Sequence, residues 1–302
     1  MRFSNAFLQA ITEKIQLVWE RSLSIETVTS VSGGDINEAA RLTLSDGRAL
    51  FLKYNEQPLP NLFEIEARGL ALLRRTSTLR VPEVYVVEKA TATHPAYVLM
   101  EWIASELSSG SGGMREFGHR LARLHQQTSE RYGLDHDNYI GSLPQRNTQT
   151  ASWIAFYRDQ RLGVQCEHAK HSGRLPPHRE HLLDRLMERL DRFIDGDTVQ
   201  PSLLHGDLWG GNYLICLGEA VLIDPAVYYG HREVELAFTE LFGGFPPAFY
   251  AGYNEVWPLP AGYVGRKALY QLYPLLVHLN LFGESYGMRV DSVLKRYVGS
   301  GK

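Results

Sequence analysis

The sequence predicts an α+β protein with two lobes, a small lobe built on an antiparallel sheet and a larger, mainly helical lobe. Runs of β-branched and apolar residues, with a hairpin turn at Asp46-Gly47, dominate the first hundred residues. Apolar residues at helical spacing dominate the chain from Met114 onward. The length of 302 residues exceeds that of a typical single domain. We therefore place the lobes at residues 1–102 and 103–302.

Composition excludes several classes of protein. The hydrophobic share of 44% and the charged share of 22% are ordinary globular usage. A net charge of −3 offers no basic surface for nucleic acid, and no apolar run is long enough to cross a bilayer. The N-terminus lacks the pattern of a secretory signal. Cys166 and Cys216 lie far apart, without metal-ligand spacing. We expect no nucleic-acid or membrane partner, and a reducing cytoplasmic location.

The small lobe is expected to begin with a helix capped by Ser4, because a serine at this position accepts backbone N–H groups of the first turn. An antiparallel sheet and one further helix follow. The expected strands are 24–32, 37–44, 48–54, 84–88 and 96–101, and the expected helix is 62–75.

The larger lobe is expected to contain helices joined by polar loops. A Ser/Gly-rich loop at 108–113 follows the lobe boundary near Trp102. Residues 134–147 are expected to form a polar loop, and Pro246-Pro247 marks another. A short strand is expected at 220–223. One helix is expected to begin near Met114. Three further helices are expected at 153–169, 179–194 and 267–282.

The most informative stretch contains His205-Gly206-Asp207, then Asn212, then Asp224 at the end of an apolar run. A kinase lays out its catalytic base and two metal ligands in this order. Asp207 can accept the proton of a substrate hydroxyl, while Asn212 and Asp224 present oxygen atoms that suit Mg²⁺. The alternative is that Asp and Asn simply form turns in a Gly-rich loop. The apolar strand that ends in Asp-Pro favours the kinase interpretation.

Two upstream elements agree with a kinase that binds ATP. Lys53 lies in an apolar strand and Glu66 in the next helix, the order of the lysine and glutamate that pair in kinases. Their ordinary alternatives are a lysine directed to solvent and a solvated helix face. Gly33 and Gly34 allow the backbone to approach a phosphate closely, although such turns are also common in hairpins.

The end of the last strand of the small lobe is a candidate hinge. In a kinase, the adenine hydrogen-bonds to backbone groups at this point, and the alternative is a plain strand end before a loop. The candidate hinge residues are Met100, Glu101, Trp102 and Ile103.

Several side chains are candidates for supporting roles. We expect His205 to orient the catalytic loop, since Asp207 is the better-placed base. Trp209, His231 and His278 are candidates for substrate contact, with ordinary packing as an alternative of equal weight for each.

These motifs together resemble the fructosamine kinase (ketosamine-3-kinase) family. The resemblance covers nearly the whole chain and is carried by SGGDIN, FEIEARGL, NYIGSLPQ, HGDLWGGN, IDPAVYYGHREVELAFTELFGGF and LYPLLVHLNLFGESY. It implies a protein-kinase-like bilobal fold, related to the aminoglycoside phosphotransferases, with ATP in the cleft. The implied activity is ATP-dependent phosphorylation of the 3-hydroxyl of a ketosamine, an adduct of a sugar with an amine or a protein lysine. The phosphate makes the adduct unstable, so the amine is released in a deglycation repair step.

Carried onto this chain, the resemblance implies particular roles for individual residues. Trp209 would pack against the sugar and His278 would line the substrate cleft. The remaining implied roles are those of a general base (Asp207), Mg²⁺ ligands (Asn212, Asp224), a phosphate-positioning pair (Lys53, Glu66) and a phosphate-covering turn (Gly33, Gly34).

The chain departs from related proteins at three positions. Asp35 stands where some family members carry a cysteine that supports redox-controlled dimerisation, so we expect no such switch. Glu235 stands where the related phosphotransferases usually have Asp, so the hydrogen bonding of this carboxylate to the catalytic loop could differ. Pro225 replaces the Phe of a protein kinase's DFG motif, and its fixed φ disfavours a flip of that segment.

Two alternatives remain open at the level of sequence. One is another small-molecule kinase, acting on an aminoglycoside, choline or a similar alcohol, although residues 252–302 carry few acidic residues to meet a polycation. The other is a non-catalytic nucleotide-binding module, against which the complete set of kinase residues argues. The sequence leaves open whether the sugar is fructosyl, ribulosyl or erythrulosyl, and whether the amine belongs to a protein. The oligomeric state is also open, with a monomer favoured.

Overall fold

The computed structural model describes residues 3–31, 37–105, 110–194 and 200–299. The chain forms two compact units. The first comprises Met1–Ser108 and Leu214–Ile223, and the second comprises Ser109–Tyr213 and Asp224–Lys302. The lobe boundary expected near Trp102 lies a few residues before the division at Ser108. The segment Leu214–Ile223 belongs to the first unit, although the sequence analysis assigns it to the larger lobe.

The strands form one sheet and three small antiparallel pairs. The sheet has the order β1-β2-β3-β5-β4, and the pairs are β6-β7, β8-β11 and β9-β10. The strands are β1 (Ile25–Val31), β2 (Glu38–Leu44), β3 (Ala49–Asn55), β4 (Val84–Glu88), β5 (Ala96–Glu101), β6 (Asn138–Ile140), β7 (Leu143–Gln145), β8 (Ser202–Leu204), β9 (Tyr213–Cys216), β10 (Glu219–Leu222) and β11 (Tyr228–Gly230).

Most of the helices belong to the second unit. A π-helical segment, Tyr157–Leu162, joins α4 to α5, and short 3₁₀ turns lie at Leu190–Arg192 and Glu284–Tyr286. The helices are α1 (Asn5–Trp19), α2 (Leu62–Arg75), α3 (Gly110–His125), α4 (Trp153–Phe156), α5 (Gly163–His171), α6 (Pro177–Met187), α7 (Arg232–Thr239), α8 (Pro247–Val256), α9 (Tyr263–Phe282) and α10 (Gly287–Val298).

The first unit is organised by strand β3, whose side chains alternate between two faces of the sheet. Leu50 and Leu52 point to one face and are buried in a core that also contains Phe7 and Ile11 of α1. The serine cap expected for this helix is confirmed, because Ser4 Oγ accepts the Phe7 N–H at 3.1 Å. Lys53 lies on the opposite face of β3, between Ala39 of β2 and Val98 of β5.

The second unit is built around close helix packing. Helices α3 and α8 approach so closely that a Cβ at Gly118 would overlap the backbone of Phe249 and lie 2.7 Å from the Tyr253 nitrogen. Gly252 makes the reciprocal approach to the backbone of Arg115. Glycine is therefore required at these crossing points, where any side chain would push the helices apart.

The loops of the second unit are tied to its small sheets. Gly133 and Tyr229 exchange two backbone hydrogen bonds of 2.8 and 2.9 Å, and Leu134 donates its N–H to the carbonyl of Asn147. Gly133 adopts φ of +103°, and a Cβ there would lie 3.2 Å from the Cα of Gln149. These bonds hold the loop from Gly133 onward beside β11, which directly follows Asp224 in the chain.

Several sequence-based expectations about secondary structure are wrong in detail. The expected polar loop at 134–147 contains β6 and β7, and its amides Asn138, Gln145 and Asn147 are buried. The helix expected at 179–194 ends at Met187, and the helix expected from Lys267 begins at Tyr263. Pro247, expected in a loop, is the first residue of α8, where its missing N–H has no cost. Helix α10 was not expected at all.

The described helices include none that is long and apolar enough to span a bilayer.

The α3–α8 contact gives a stability test with an internal control. Gly118→Ala should lower the free energy of unfolding by about 2 kcal/mol, because the added methyl group meets backbone atoms that cannot move independently. Gly112 lies in the same helix with open space around it, so Gly112→Ala should raise stability by about 0.5 kcal/mol through helix propensity. Urea unfolding of both variants measures the difference. Equal effects of the two substitutions would contradict the close packing.

Candidate active site

The catalytic segment leaves β8 at Leu204 and turns sharply at Gly206. This glycine has φ of +85°, and a Cβ there would overlap the carbonyl oxygen of Ala226. The Ala226 N–H donates to the His205 carbonyl at 2.9 Å. The segment that contains Asp207 and the segment that follows Asp224 therefore lie directly against each other.

Asp207 and Asn212 are in direct contact. The Asn212 amide nitrogen donates two hydrogen bonds of 2.8 Å to Asp207, one to Oδ2 and one to the backbone carbonyl. The Asn212 N–H donates to the Trp209 carbonyl at 3.0 Å, which closes the loop between them. Since both bonds to Asp207 use Nδ2, the Asn212 carbonyl oxygen Oδ1 lies on the other side of the amide. The loop thus presents an Asp carboxylate and an Asn oxygen together, as the spacing in the sequence suggests.

The electrostatic environment of Asp207 disfavours its charged form. Burial raises the pKa of Asp207 to about 8, and the negative charges of Asp224 and Glu235 act in the same direction. The hydrogen bond from Asn212 opposes this increase. A carboxylate in this position is a stronger base than an exposed aspartate, which suits proton abstraction near neutral pH.

Glu235 anchors the backbone of the catalytic segment. Its Oε1 accepts the Gly206 N–H at 2.7 Å and its Oε2 accepts the His205 N–H at 3.2 Å. The His125 ring hydrogen-bonds to Glu235 Oε2 at 2.8 Å through Nε2 and to the Tyr253 hydroxyl at 2.8 Å through Nδ1. Burial alone would raise the pKa of Glu235, but His125 and the backbone N–H groups hold it below its usual value. The longer Glu side chain thus bonds the loop at two backbone positions.

His205 is fully buried, and its ring faces the loop it belongs to. His205 Nδ1 accepts the Asp207 N–H at 3.3 Å. This contact agrees with the expected orienting role, because it fixes the backbone of the residue that carries the candidate base.

Asp224 has a backbone conformation that L-residues rarely adopt, with φ of +52°. Such strain persists where the surrounding structure imposes it, and it concentrates at functional sites. The residue is exposed and close enough to Asp207 to raise its pKa. The described residues contain no cluster of three or more His, Cys, Asp or Glu side chains that could hold a metal. Mg²⁺ needs no such cluster, because it is bound through one or two carboxylates together with water and substrate phosphates.

In the first unit, Lys53 and Glu66 form an ion pair. Lys53 Nζ lies 3.0 Å from Glu66 Oε1 and 3.2 Å from Oε2, and both side chains are largely buried. Helix α2 and strand β3 therefore bring together the two residues that the sequence pairs by order alone. Their role toward a nucleotide stays a prediction. Gly33 and Gly34 lie outside the described residues, as does Asp35.

The candidate hinge residues differ in their surroundings. Met100 and Ile103 are buried, and Glu101 binds Arg80 through its side chain. The Glu101 N–H donates to the Glu83 carbonyl at 2.7 Å, so this backbone donor is used by the sheet. The centre of the Trp102 ring lies 6.3 Å from the centre of the Phe51 ring. The Arg41 guanidinium lies over the Trp102 ring, 5.1 Å from its centre. Nucleotide binding by these four residues stays a prediction.

The three candidate substrate contacts have different environments. The Trp209 ring is 40% exposed and lies over Gly211, where any Cβ would collide with it. His278 is partly buried, bonds to the Pro274 carbonyl at 2.8 Å and packs against the ring of Phe242 at 4.5 Å. Trp209 is thus the most accessible of the three.

His231 is almost completely buried and has a structural contact. Its Nδ1 accepts the Glu233 N–H at 3.1 Å and so caps helix α7. The ring packs between Trp153 and Tyr270. These contacts favour the packing alternative for this residue over a contact with substrate.

Sequence analysis did not identify His125 and Tyr253, which support Glu235. His125 ends a helix face whose other members, Leu121, Ala122 and Leu124, are all buried. A histidine in register with an apolar face is a recognisable signal of a buried polar contact. The partner on another helix, however, is set by packing and not by spacing in the sequence.

Similarity of fold to solved structures defines the class of protein. The chain aligns along its whole length with a gentamicin-bound aminoglycoside phosphotransferase, with 13% identity, a TM-score of 0.61 and coverage of 98% of that chain. At this identity the similarity shows the fold alone, and that fold is protein-kinase-like and α+β, as the sequence predicts.

Closer similarities define the family. The sequence profile of the family described as fructosamine kinase matches residues 7–300. A probable ketoamine kinase of Enterococcus faecium is 40% identical over 271 residues, covering 89% of this chain and 95% of that protein. A chloroplastic protein-ribulosamine 3-kinase of Oryza sativa subsp. japonica is 38% identical over 282 residues, covering 92% of this chain and 80% of that protein. The structure of a putative fructosamine-3-kinase from Thermobifida fusca is 34% identical, with a TM-score of 0.84 and coverage of 96% and 99%. The chain belongs to the fructosamine kinase family.

The environment of His231 gives a prediction about acid stability. Burial lowers the pKa of His231 to about 3, helped by the charges of Arg266 and Arg232. Because the folded pKa lies below the unfolded value of about 6.5, the unfolded state binds more protons and stability falls as pH drops below 6.5. Between pH 8 and pH 5 this residue should cost about 2 kcal/mol.

The comparison variant is His231→Asn, since asparagine retains a side-chain acceptor for the helix cap but does not titrate. Urea unfolding of both proteins at pH 8 and pH 5 isolates the contribution of His231 from that of other groups. We expect the variant to lose less stability on acidification than the wild type, whatever its stability at pH 8. The same loss in both proteins would show that His231 is not held neutral.

Proposed function

We propose that the protein is an ATP-dependent ketosamine kinase, a phosphotransferase that uses the 3-hydroxyl of a ketosamine as its acceptor. The observation that carries this proposal is the Asp207–Asn212 contact on a loop that Glu235 fixes through two backbone hydrogen bonds. Membership of the fructosamine kinase family supports the reaction class. Relatives named as ketoamine kinase and protein-ribulosamine 3-kinase support the class of acceptor.

Asp207 is the proposed general base. Asn212 occupies its Oδ2, so Oδ1 is the oxygen that accepts the proton of the substrate hydroxyl. The hydroxyl oxygen then forms a bond to the γ-phosphorus of ATP, while the bond from that phosphorus to the β,γ-bridging oxygen breaks and ADP leaves. The raised pKa of Asp207 keeps it basic enough for this transfer near neutral pH.

Asn212 and Asp224 are the proposed metal ligands, through Oδ1 and the carboxylate. Mg²⁺ bound there with ATP would neutralise part of the negative charge of the ATP phosphates. The direction of Asn212 fits this role, since its amide nitrogen is committed to Asp207 and its oxygen is not.

The proposed ATP contacts lie in the first unit. A buried lysine held by Glu66 is oriented to bind phosphate, because the ion pair restricts the flexible lysine side chain to one direction. We assign backbone contacts with adenine to Met100, Glu101, Trp102 and Ile103, and phosphate covering to Gly33 and Gly34. Of these hinge groups, the Glu101 carbonyl is a better candidate than its N–H, which already donates to Glu83.

Ketosamines on amines or protein lysines are the proposed substrates, and Trp209 is the proposed sugar contact. Phosphorylation at O3 would destabilise the adduct and release the amine, so the activity would be one of deglycation. We propose a cytoplasmic location and a monomer.

A panel of acceptors tests the proposed function directly. With Mg²⁺ and ATP, ribulosyl-lysine and fructosyl-lysine should be phosphorylated, and kanamycin and choline should not. Consumption of ATP measures turnover, and phosphorus NMR of the product identifies the phosphorylated oxygen as O3. Turnover with kanamycin or choline alone would retain phosphoryl transfer but reject the ketosamine as acceptor.

Two isosteric substitutions separate the proposed base from the proposed metal ligand. Asp207→Asn should lower kcat about a thousandfold, because the proton acceptor is lost. It should still bind ATP in a metal-dependent manner. Asp224→Asn should instead lose the dependence of ATP affinity on Mg²⁺. Substantial turnover by Asp207→Asn would remove Asp207 from the role of base.

A further inference from the structure

A group of buried amides lies beside the segment that follows Asp224, and no step of the proposed reaction uses it. Asn138, Gln145 and Asn147 come from β6, β7 and the residues just after, and each is at most 4% exposed. Burying three amides is costly unless their donors and acceptors are paired. The pairs that they make show what the group does.

Two of these amides donate hydrogen bonds to consecutive backbone carbonyls. Gln145 Nε2 donates to the Ala226 carbonyl at 3.0 Å, and Asn138 Nδ2 donates to the Val227 carbonyl at 2.8 Å. Gln145 Nε2 also donates to Asn138 Oδ1 at 2.7 Å, which joins the two side chains. We call Asn138 and Gln145 the amide clamp.

A tyrosine and an arginine support the direction in which the clamp amides face. The Ala226 carbonyl can only accept, so the Gln145 nitrogen faces it, and the Tyr273 hydroxyl donates to Gln145 Oε1 at 2.7 Å on the other side of that amide. Arg161, which can only donate, bonds to Asn147 Oδ1 at 2.8 Å.

This bond turns the nitrogen of Asn147 toward Asn138, to whose Oδ1 it donates at 3.0 Å. The nitrogen of Asn138 is thereby directed to Val227. Rotating either clamp amide by 180° would place oxygen against oxygen at these contacts.

Arg161 itself is held without exposure to solvent. It donates to the carbonyls of Arg146 and Gln160 at 2.6 and 2.9 Å, and its guanidinium lies 3.8 Å from the centre of the Tyr228 ring. It lies in the π-helical segment, a local distortion that often occurs at functional sites. The guanidinium carries donors only, so it bonds to Asn147 through the amide oxygen and not through the amide nitrogen.

The carbonyls that the clamp holds come directly after Asp224. With the Ala226 N–H bonded to the His205 carbonyl, three of the four backbone polar groups of Ala226 and Val227 are held by these hydrogen bonds. Asp224, two residues before Ala226, has the left-handed φ of +52°, so the direction of its carboxylate depends on a backbone conformation that few residues adopt. We propose that Asn138 and Gln145, oriented by Arg161 and Tyr273, are positioning residues that hold the Asp224 carboxylate in place for the metal. This inference rests on the proposed role of Asp224 as a metal ligand.

Metal binding provides a test that does not depend on turnover. Mn²⁺ binding to the protein with ADP can be followed by electron paramagnetic resonance, and no acceptor is needed. Gln145→Ala should weaken Mn²⁺ binding about tenfold, the loss typical when a group that orients a metal ligand is removed. Binding of ADP in the presence of EDTA should change little, because the clamp acts on the metal ligand.

Gln165→Ala is the matched control. Gln165 is as buried as Gln145 and its Oε1 accepts a hydrogen bond from Asn280 at 2.9 Å, on α9 and away from the segment after Asp224 in sequence. Both variants should lose thermal stability, and only Gln145→Ala should lose Mn²⁺ affinity.

A second pair of variants guards against failure of Gln145→Ala to fold. Tyr273→Phe removes only the hydroxyl that orients Gln145, and Tyr157→Phe removes a buried hydroxyl that donates to the Leu269 carbonyl at 2.8 Å. We expect similar decreases in Tm for the two variants, and a weakening of Mn²⁺ binding of about threefold or more for Tyr273→Phe alone.

The outcomes separate this inference from the proposed function. Unchanged Mn²⁺ affinity in both Gln145→Ala and Tyr273→Phe, or equal losses in their controls, would overturn the positioning role. A wild-type protein that binds no Mn²⁺ with ADP would overturn the metal assignment, and the positioning role with it. Mn²⁺ binding that follows the expected pattern, without phosphorylation of any ketosamine, would support the clamp and reject only the proposed acceptor.

Discussion

The carboxylate of Glu235 is the contact on which the rest of the candidate active site depends. It is almost fully buried, and a buried charge is tolerated only when its hydrogen bonds are satisfied. Two of those bonds come from the backbone of His205 and Gly206, and the third comes from His125. The loop that carries the candidate base therefore supplies hydrogen bonds to a buried charge. If the loop moved away, the Glu235 carboxylate would remain buried without these two partners. These bonds restrain the backbone at Gly206, a residue type that by itself would allow many conformations.

Helix α7 delivers Glu235 because the whole helix is buried. His231 caps it, Arg232 donates to the carbonyls of Trp257 and Pro258, and Glu233 accepts two hydrogen bonds from Arg266 at 2.6 and 2.8 Å. Each polar side chain of its first turn thus has a partner of matching chemistry. Both oxygens of Glu235 accept backbone N–H groups, so this glutamate is bonded to the loop at two positions.

Sequence alone was sufficient where periodicity or turn chemistry decides the structure. The bounds of α2, β4 and β5 agree with the prediction. Lys53 and Glu66, which the sequence analysis pairs by their order along the chain, are in contact. Prediction from sequence failed where the buried residues are polar. The stretch that contains β6 and β7 has the composition of a loop, because its asparagines and Gly141 are ordinary turn formers and its other polar residues are usually exposed. Only the tertiary structure shows that their partners are the carbonyls after Asp224 and the guanidinium of Arg161, more than ten residues away.

The charges of the second unit explain why positioning has to be strict. Burial disfavours the charged form of Asp207, and the negative charges of Asp224 and Glu235 add to the effect. Left to relax, such carboxylates would move apart or take up a proton. The bonds to Asp207 from Asn212, and those to Ala226 and Val227 from the clamp, oppose that movement on both sides. The charge of Asp224 thus opposes ionisation of Asp207, an effect that a divalent cation in the proposed metal site would offset. A cation held by Asp224, as proposed, would favour the carboxylate form of Asp207, which is the form that accepts a proton in the proposed reaction.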